Sequence, residues 1–273
     1  MENDQIPQSL PVFTSLYQPL PVFDFTIELF CRVDDTLRGE PKPALAHLYP
    51  SEVVTLGLLY ALRGQGYRAF YRWVQKELGA LFPRLPEQSR LFRLLRQSHG
   101  LCQRLMAQAS AFGVCDTLGI ELLHPMREGR CKWHMARKGK SHHRWIVGAK
   151  FFLLLNQWGQ VVSWNCAGAN VHDTAFHCEI ESVQEQMLVL ADSGFHAKDG
   201  DPANLKVCKK GTWNERMLIE TAFSLFEGVM NLKKQDHRLK PHLATRRAYC
   251  AAIYNICTKW TGQVTLSLVN FAR

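Results

Sequence analysis

Residues 145–155 read Trp-Ile-Val-Gly-Ala-Lys-Phe-Phe-Leu-Leu-Leu, and residues 160–166 read Gln-Val-Val-Ser-Trp-Asn-Cys. Only Asn156-Gln157-Trp158-Gly159 separates them. Two β-rich runs across a short turn containing Gly predict a long hairpin. A hairpin of this length must sit in a larger sheet, because an isolated pair is marginal in water. Phe112–Leu123 adds a strand before it; Met187–Ala191 and Leu205–Lys210 add two after it. Asn170 to Asp173 reads as a loop and N-cap ahead of a helix running to Val183. Helices follow from Trp213 to Lys234 and over residues 241–260. An antiparallel meander leading into βαβ units predicts an α/β protein with a mixed five-stranded sheet flanked by helices.

The first part of the chain has another character. Residues 1–50 are rich in Pro and predict an arm with short helical pieces. Ser51-Glu52 can cap a helix over Val53–Tyr60, and Gly64-Gln65-Gly66 breaks it. Tyr67–Val74 begins a second helix, which ends before Pro83. Arg90, Arg93 and Arg96 lie among Leu91, Phe92, Leu94 and Leu95 on a third. A helix-turn-helix DNA reader and a plain helical bundle both fit, and the bundle asks for less. The division expected is 1–108, an all-α region that binds DNA if the helix-turn-helix reading holds, and 109–273, the α/β domain.

Charge narrows the partner. The 273 residues carry a formal net charge of +9. Residues 124–150 hold eight Lys or Arg against one acid, Glu128, and residues 201–247 hold ten against five. Such runs point to an anionic partner, nucleic acid above all. Nine cysteines without a C-x-x-C pair predict reduced thiols in a cytoplasmic protein. The opening MENDQIPQSLP is acidic and polar, unlike a signal peptide. The longest purely apolar run, Phe151–Leu155, is too short to span a bilayer.

Two aspartates sit in costly places. In a strand, side chains alternate between faces, so Asp116 shares one with Phe112, Val114, Leu118, Ile120 and Leu122. Asp192 likewise shares a face with Leu188 and Leu190. An unpaired carboxylate on an apolar face is disfavoured by several kcal/mol, roughly. A hard divalent cation removes the difficulty, since it binds carboxylate oxygen.

The helix from Trp213 offers more carboxylates. Leu218, Ala222, Leu225, Val229 and Leu232 recur at steps of three and four and predict its buried stripe. Arg216, Glu220, Ser224, Glu227 and Asn231 form a polar stripe. That stripe can be a solvated face in which Arg216 and Glu220 pair. Taken with the aspartates, it presents Glu220 as a third metal ligand, with Glu227 as the competitor. Three carboxylates from separate elements suit a two-metal phosphoryl-transfer site.

Several segments, taken together, resemble one family. They are Val114-Cys115-Asp116-Thr117, the basic stretch to Arg144, and Trp145–Asn156 with its W-x-x-G-x-K. Then come Ala169-Asn170-Val171-His172-Asp173, Leu190-Ala191-Asp192-Ser193-Gly194-Phe195, and Arg216-x-x-Ile219-Glu220-x-x-Phe223-Ser224. In this order, residues 111–260 resemble an insertion-sequence DDE transposase. Ser51–Tyr71 and Leu81–Arg96 match the helical region of such enzymes more loosely. The resemblance implies a ribonuclease-H-like core in which Asp116, Asp192 and Glu220 hold the catalytic Mg2+, with Mn2+ as a substitute. It also implies strand cleavage followed by strand transfer, with element ends and target DNA as partners and a homodimer on paired ends. Members carry a Tyr, Arg, Glu, Lys signature on the last helix. Here Trp213 stands at the Tyr position, Arg216 and Glu220 match, and Glu227 replaces the Lys. Lys233 or Lys234 can take over its phosphate contact.

Arg216 is expected on a DNA phosphate or paired with Glu220. Arg127, Arg130, Lys132, Arg137, Lys138, Lys140 and Arg144 are expected along the DNA backbone. Asn170, His172 and Asp173 are expected as loop and cap. Cys131, His134, His142 and His143 lack the spacing of a zinc finger. Two rival functions stand beside the transposase: a non-catalytic DNA-binding regulator derived from one, and a stand-alone Mg2+ nuclease.

Overall fold

The structure is a computed structural model that describes residues 21–128, 137–141, 144–208, 216–233 and 240–261. It is mixed α/β. Four helices come first: α1 (Val22–Thr36), α2 (Pro50–Arg63), α3 (Tyr67–Glu77) and α4 (Gln88–Ser98). Pro50 opens α2 at a position where its missing N–H costs nothing, and the Glu52 carboxylate accepts from the Tyr49 amide at 2.6 Å. Gly64, with φ of 60°, ends the helix in the left-handed conformation. α1 is a full helix where the Pro-rich composition predicted short pieces. Its flanking prolines, Pro21 and Pro41, lie outside it, and Leu29 and Val33 bury its inner face.

Six strands form one sheet: β1 (Phe112–Leu123), β2 (Arg137–Ser141), β3 (Arg144–Asn156), β4 (Val161–Gly168), β5 (Leu188–Ala191) and β6 (Leu205–Val207). The order is β2-β3-β1-β5-β6. β2 pairs with the first part of β3, from Arg137↔Gly148 to Ser141↔Arg144, and β4 with the rest. β1 runs antiparallel to β3, while β5 and then β6 run parallel to β1. The expected hairpin is β3–β4. The Asn156 side chain accepts from the Trp158 and Gln160 amides across its turn, and Gly159 takes φ of 72°. The sixth strand, β2, is absent from the sequence-based expectation. Arg-Lys-Gly-Lys-Ser has no apolar alternation to betray it; it pairs by backbone at an edge.

The sheet is covered on both faces. On one, Val114, Leu118, Ile120, Phe151 and Leu153 pack against α6 (Arg216–Gly228) and α7 (Lys240–Thr261). The same buried cluster continues without a break through α1–α4. Gly57 of α2 lies so close to Tyr249 of α7 that a Cβ there would run into the ring. Asn255 of α7 accepts from the Val161 amide at 2.7 Å and donates to the Leu105 carbonyl at 3.2 Å. On the other face, Cys115, Phe152, Leu154, Val189 and Ala191 meet Phe176, Phe195 and Ile180, the last from α5 (His177–Glu181).

α6 differs from expectation in extent and orientation. It ends at Gly228, where Asn231 takes φ of 52° and the Leu232 amide bonds back to the Phe226 carbonyl. Its buried centre is Ile219, Ala222 and Phe226, and Leu218 and Leu225 are half-buried. Ala222, Val229 and Leu232 are buried as expected, while Ile219 and Phe226 take the places expected of Leu218 and Leu225; Phe226 meets Phe151 at 5.7 Å and Tyr254 at 5.1 Å between centroids. Among the described residues no helix is long and apolar enough to cross a membrane.

Candidate active site

β1 and β5 run in step from Phe112↔Leu188 to Val114↔Leu190. Two residues further along each lie Asp116 and Asp192. Alternation puts Asp116 on the face of β1 covered by α6, and Asp192 directly follows Ala191, the last residue of β5. This register is what brings residues so distant in sequence together. The Asp116 Oδ1 accepts from the Thr117 amide at 2.6 Å. Asp192 caps a short 3-10 turn, Ser193–Phe195, its Oδ1 accepting from the Gly194 amide at 2.8 Å. Both side chains are half-buried.

A further carboxylate, Asp173, lies near Asp192, on the side of the sheet that carries Thr117 and Lys150. It opens the 3-10 turn Asp173–Phe176, which His172 caps and which leads into α5. Asp173 Oδ1 accepts from the Thr117 hydroxyl at 3.0 Å and pairs with the Lys150 ammonium at 2.8 Å. A Cβ on Gly194 would lie 3.0 Å from oxygens of both Asp173 and Asp192. The buried Cys115 thiol registers this crowding. Burial pushes its pKa well up, and the charges of Asp116, Asp192 and Asp173 add to the rise. Sequence reasoning gave Asp173 a capping role and Lys150 none. The missed signal was a single cation inside the otherwise apolar run of β3.

Glu220 is exposed on α6, next to the buried Ile219 that packs on the sheet. Among the described residues no three His, Cys, Asp or Glu side chains group closely enough to hold a metal ion. Asp116, Asp192 and Glu220 thus form no three-carboxylate cluster among the described residues. The two aspartates still fit Mg2+ chemically. Their donors are hard oxygens, and that ion binds through one or two protein carboxylates while retaining several waters.

The expected phosphate-binding residues fall in three places. Arg137, Lys138 and Lys140 project from β2, all exposed, and Arg144 opens β3 with its guanidinium 3.9 Å from Glu121. Exposed Trp145 stands among them, with the Lys138 ammonium 5.5 Å from its ring centroid. Lys233 lies past the end of α6, 3.5 Å from Glu227, so a cation does stand beside the acid that interrupts the signature. Arg127 is exposed in the turn after β1. Arg216 begins α6, but its side chain lies outside the described residues, as do Arg130, Cys131, Lys132, His134, His142, His143, Trp213 and Lys234.

Two arginines counted in the second basic run are not at the surface. Arg246 is buried in α7, donating to the Met230 carbonyl at 3.0 Å and to the Tyr60 hydroxyl at 3.5 Å. Arg247 is wholly buried 5.9 Å from the Phe151 ring, and its three nitrogens have no hydrogen-bond partner among the described residues.

No family model matches the chain, and no curated protein does.

Proposed function

We propose that this chain is an insertion-sequence DDE transposase that cuts DNA strands and joins them to target DNA, built on a ribonuclease-H-like core. The carrying observation is the parallel register of β1 and β5, paired from Phe112↔Leu188 to Val114↔Leu190, with Asp116 and Asp192 each two residues beyond the last pair. The sheet supports it, with three long antiparallel strands running into two parallel ones and helices on both faces. So does the basic edge of Arg137, Lys138, Lys140 and Arg144, which continues from β3, the strand beside β1.

In this reading Asp116 and Asp192 bind Mg2+, or Mn2+ in its place, and Glu220 contributes a third carboxylate from α6. When bound, a metal pair polarises the scissile phosphate and stabilises the attacking and leaving oxygens. The protein's own part is to present ionised carboxylates and to hold the strand. Arg137, Lys138, Lys140 and Arg144 neutralise backbone phosphates, Trp145 offers a stacking surface, and Arg216 and Lys233 contact phosphate near α6. A cytoplasmic homodimer on paired DNA ends completes the proposal. One observation favours the rival, a non-catalytic DNA-binding regulator derived from a transposase: Glu220 is not grouped with the two aspartates.

The test is purified full-length protein with Mg2+ and duplexes carrying the DNA that flanks its reading frame. Cleavage with joining supports the transposase, cleavage alone a nuclease, and binding alone the regulator. Asp116→Asn should abolish cleavage and leave binding largely intact. Wild-type cleavage by that variant removes Asp116 from the site.

A further inference from the structure

We propose that Asp173, paired with Lys150, is a positioning residue that sets the relative placement of Asp116 and Asp192. This rests on the reading that those two aspartates hold the metal. A continuous chain of contacts joins them. Asp116 Oδ1 accepts from the Thr117 amide, and the Thr117 hydroxyl donates to Asp173 Oδ1. The other Asp173 oxygen lies 3.0 Å from where a Cβ on Gly194 would stand, and the Gly194 amide donates to Asp192 Oδ1. Within that chain Asp173 belongs neither to β1 nor to the turn after β5. It therefore ties β1 to the turn that carries Asp192.

Lys150 makes the arrangement tenable. A second carboxylate near Asp192 adds to the negative charge there, and the Lys150 ammonium, on β3, compensates it at 2.8 Å. The pair is largely buried, with side chains 15% and 20% exposed, so its geometry is fixed by surrounding packing. Asp173 Oδ1 already receives two donors, which suits an orienting residue better than a ligand. Partners of this kind hold metal ligands in place, and their removal typically weakens metal binding by about 10- to 100-fold.

The experiment is direct Mn2+ binding to the full chain, followed by the electron paramagnetic resonance signal of the free ion, with circular dichroism to monitor the fold. Wild type should bind Mn2+ and Asp116→Asn should not. Asp173→Ala should bind about 10-fold more weakly or worse with an unchanged spectrum, and Asp173→Asn, which keeps an acceptor for Thr117, should recover part of that affinity. An Asp173→Ala affinity within about twofold of wild type overturns the proposal and leaves the functional reading standing. If Asp173→Ala fails to fold, Thr117→Val and Lys150→Met each remove one partner of Asp173 and decide the matter in the same way. If wild type shows no binding that Asp116→Asn removes, the metal-site reading itself falls, and this proposal with it.

Discussion

The Lys150 ammonium lies 2.8 Å from Asp173, whose other oxygen lies close to Gly194 near Asp192. Gly194 is small because two carboxylates need the space. Gly194→Ala puts a methyl 3.0 Å from both, so something must move. The expected cost is about 1–3 kcal/mol. It is read as a fall in the thermal midpoint and as weaker Mn2+ binding. A variant indistinguishable from wild type in both would show that this space is not needed.

Arg247 gives the opposite expectation. A fully buried guanidinium with no hydrogen-bond partner among the described residues is a standing cost to the fold. Arg247→Met keeps much of the volume and removes the charge. Its unfolding free energy should rise by about 1–3 kcal/mol. Denaturant titration checks it, and a drop in stability would mean that the guanidinium has a favourable role in the core.

The edge made by β2 and Arg144 should behave electrostatically. Replacing Arg137, Lys138, Lys140 and Arg144 with Ala should weaken binding to every duplex sequence alike. The salt dependence should flatten by about 0.9 in log–log slope for each phosphate no longer neutralised. Anisotropy titrations at several salt concentrations measure it; an unchanged slope assigns these residues to solvent.

High pH should unfold the protein progressively. Burial pushes Cys250 up to about 11, and Cys257 and Tyr254 up to about 12, with Cys102 and Tyr60 raised as well. The folded state keeps these protons after the unfolded chain has begun to release them, from about pH 8.5 for thiols and 10 for tyrosines. Their contribution is therefore whole below about pH 8.5 and fades as the pH climbs toward 11–12. A thermal midpoint that stays level from neutral pH to about pH 11 would contradict the burial of these groups.

Much of the sheet was legible because its strands are apolar and bounded by turns. β1, β3 and β4 are found within a residue or two of where the sequence puts them. β2 was not, because its pairing is written in backbone and not in side-chain alternation. The buried stripe was legible at Ala222, Val229 and Leu232 and displaced by one position at Leu218 and Leu225, because aliphatic spacing outweighed Phe226 in the pattern. The placement of Asp116 and Asp192 depends on strand register, a long-range property that sequence hints at only through alternation. Asp173 and Lys150 were opaque for a related reason. Their partnership crosses from β3 to a turn, and neither residue's neighbours in the chain announce it. Arg246 and Arg247 were counted as surface charge because a formal sum cannot tell inside from outside.

β2 lies at the rim of the sheet, and among the described residues no further strand pairs with its outer side. The Glu128 carboxylate takes the Lys138 amide there at 3.2 Å. A rim of this kind is a template on which another chain can add a strand. The same four cations proposed to meet phosphate also repel a second copy that approaches edge to edge. Removing them would then have two results, a weaker hold on an anionic partner and a greater tendency of the protein to stick to itself.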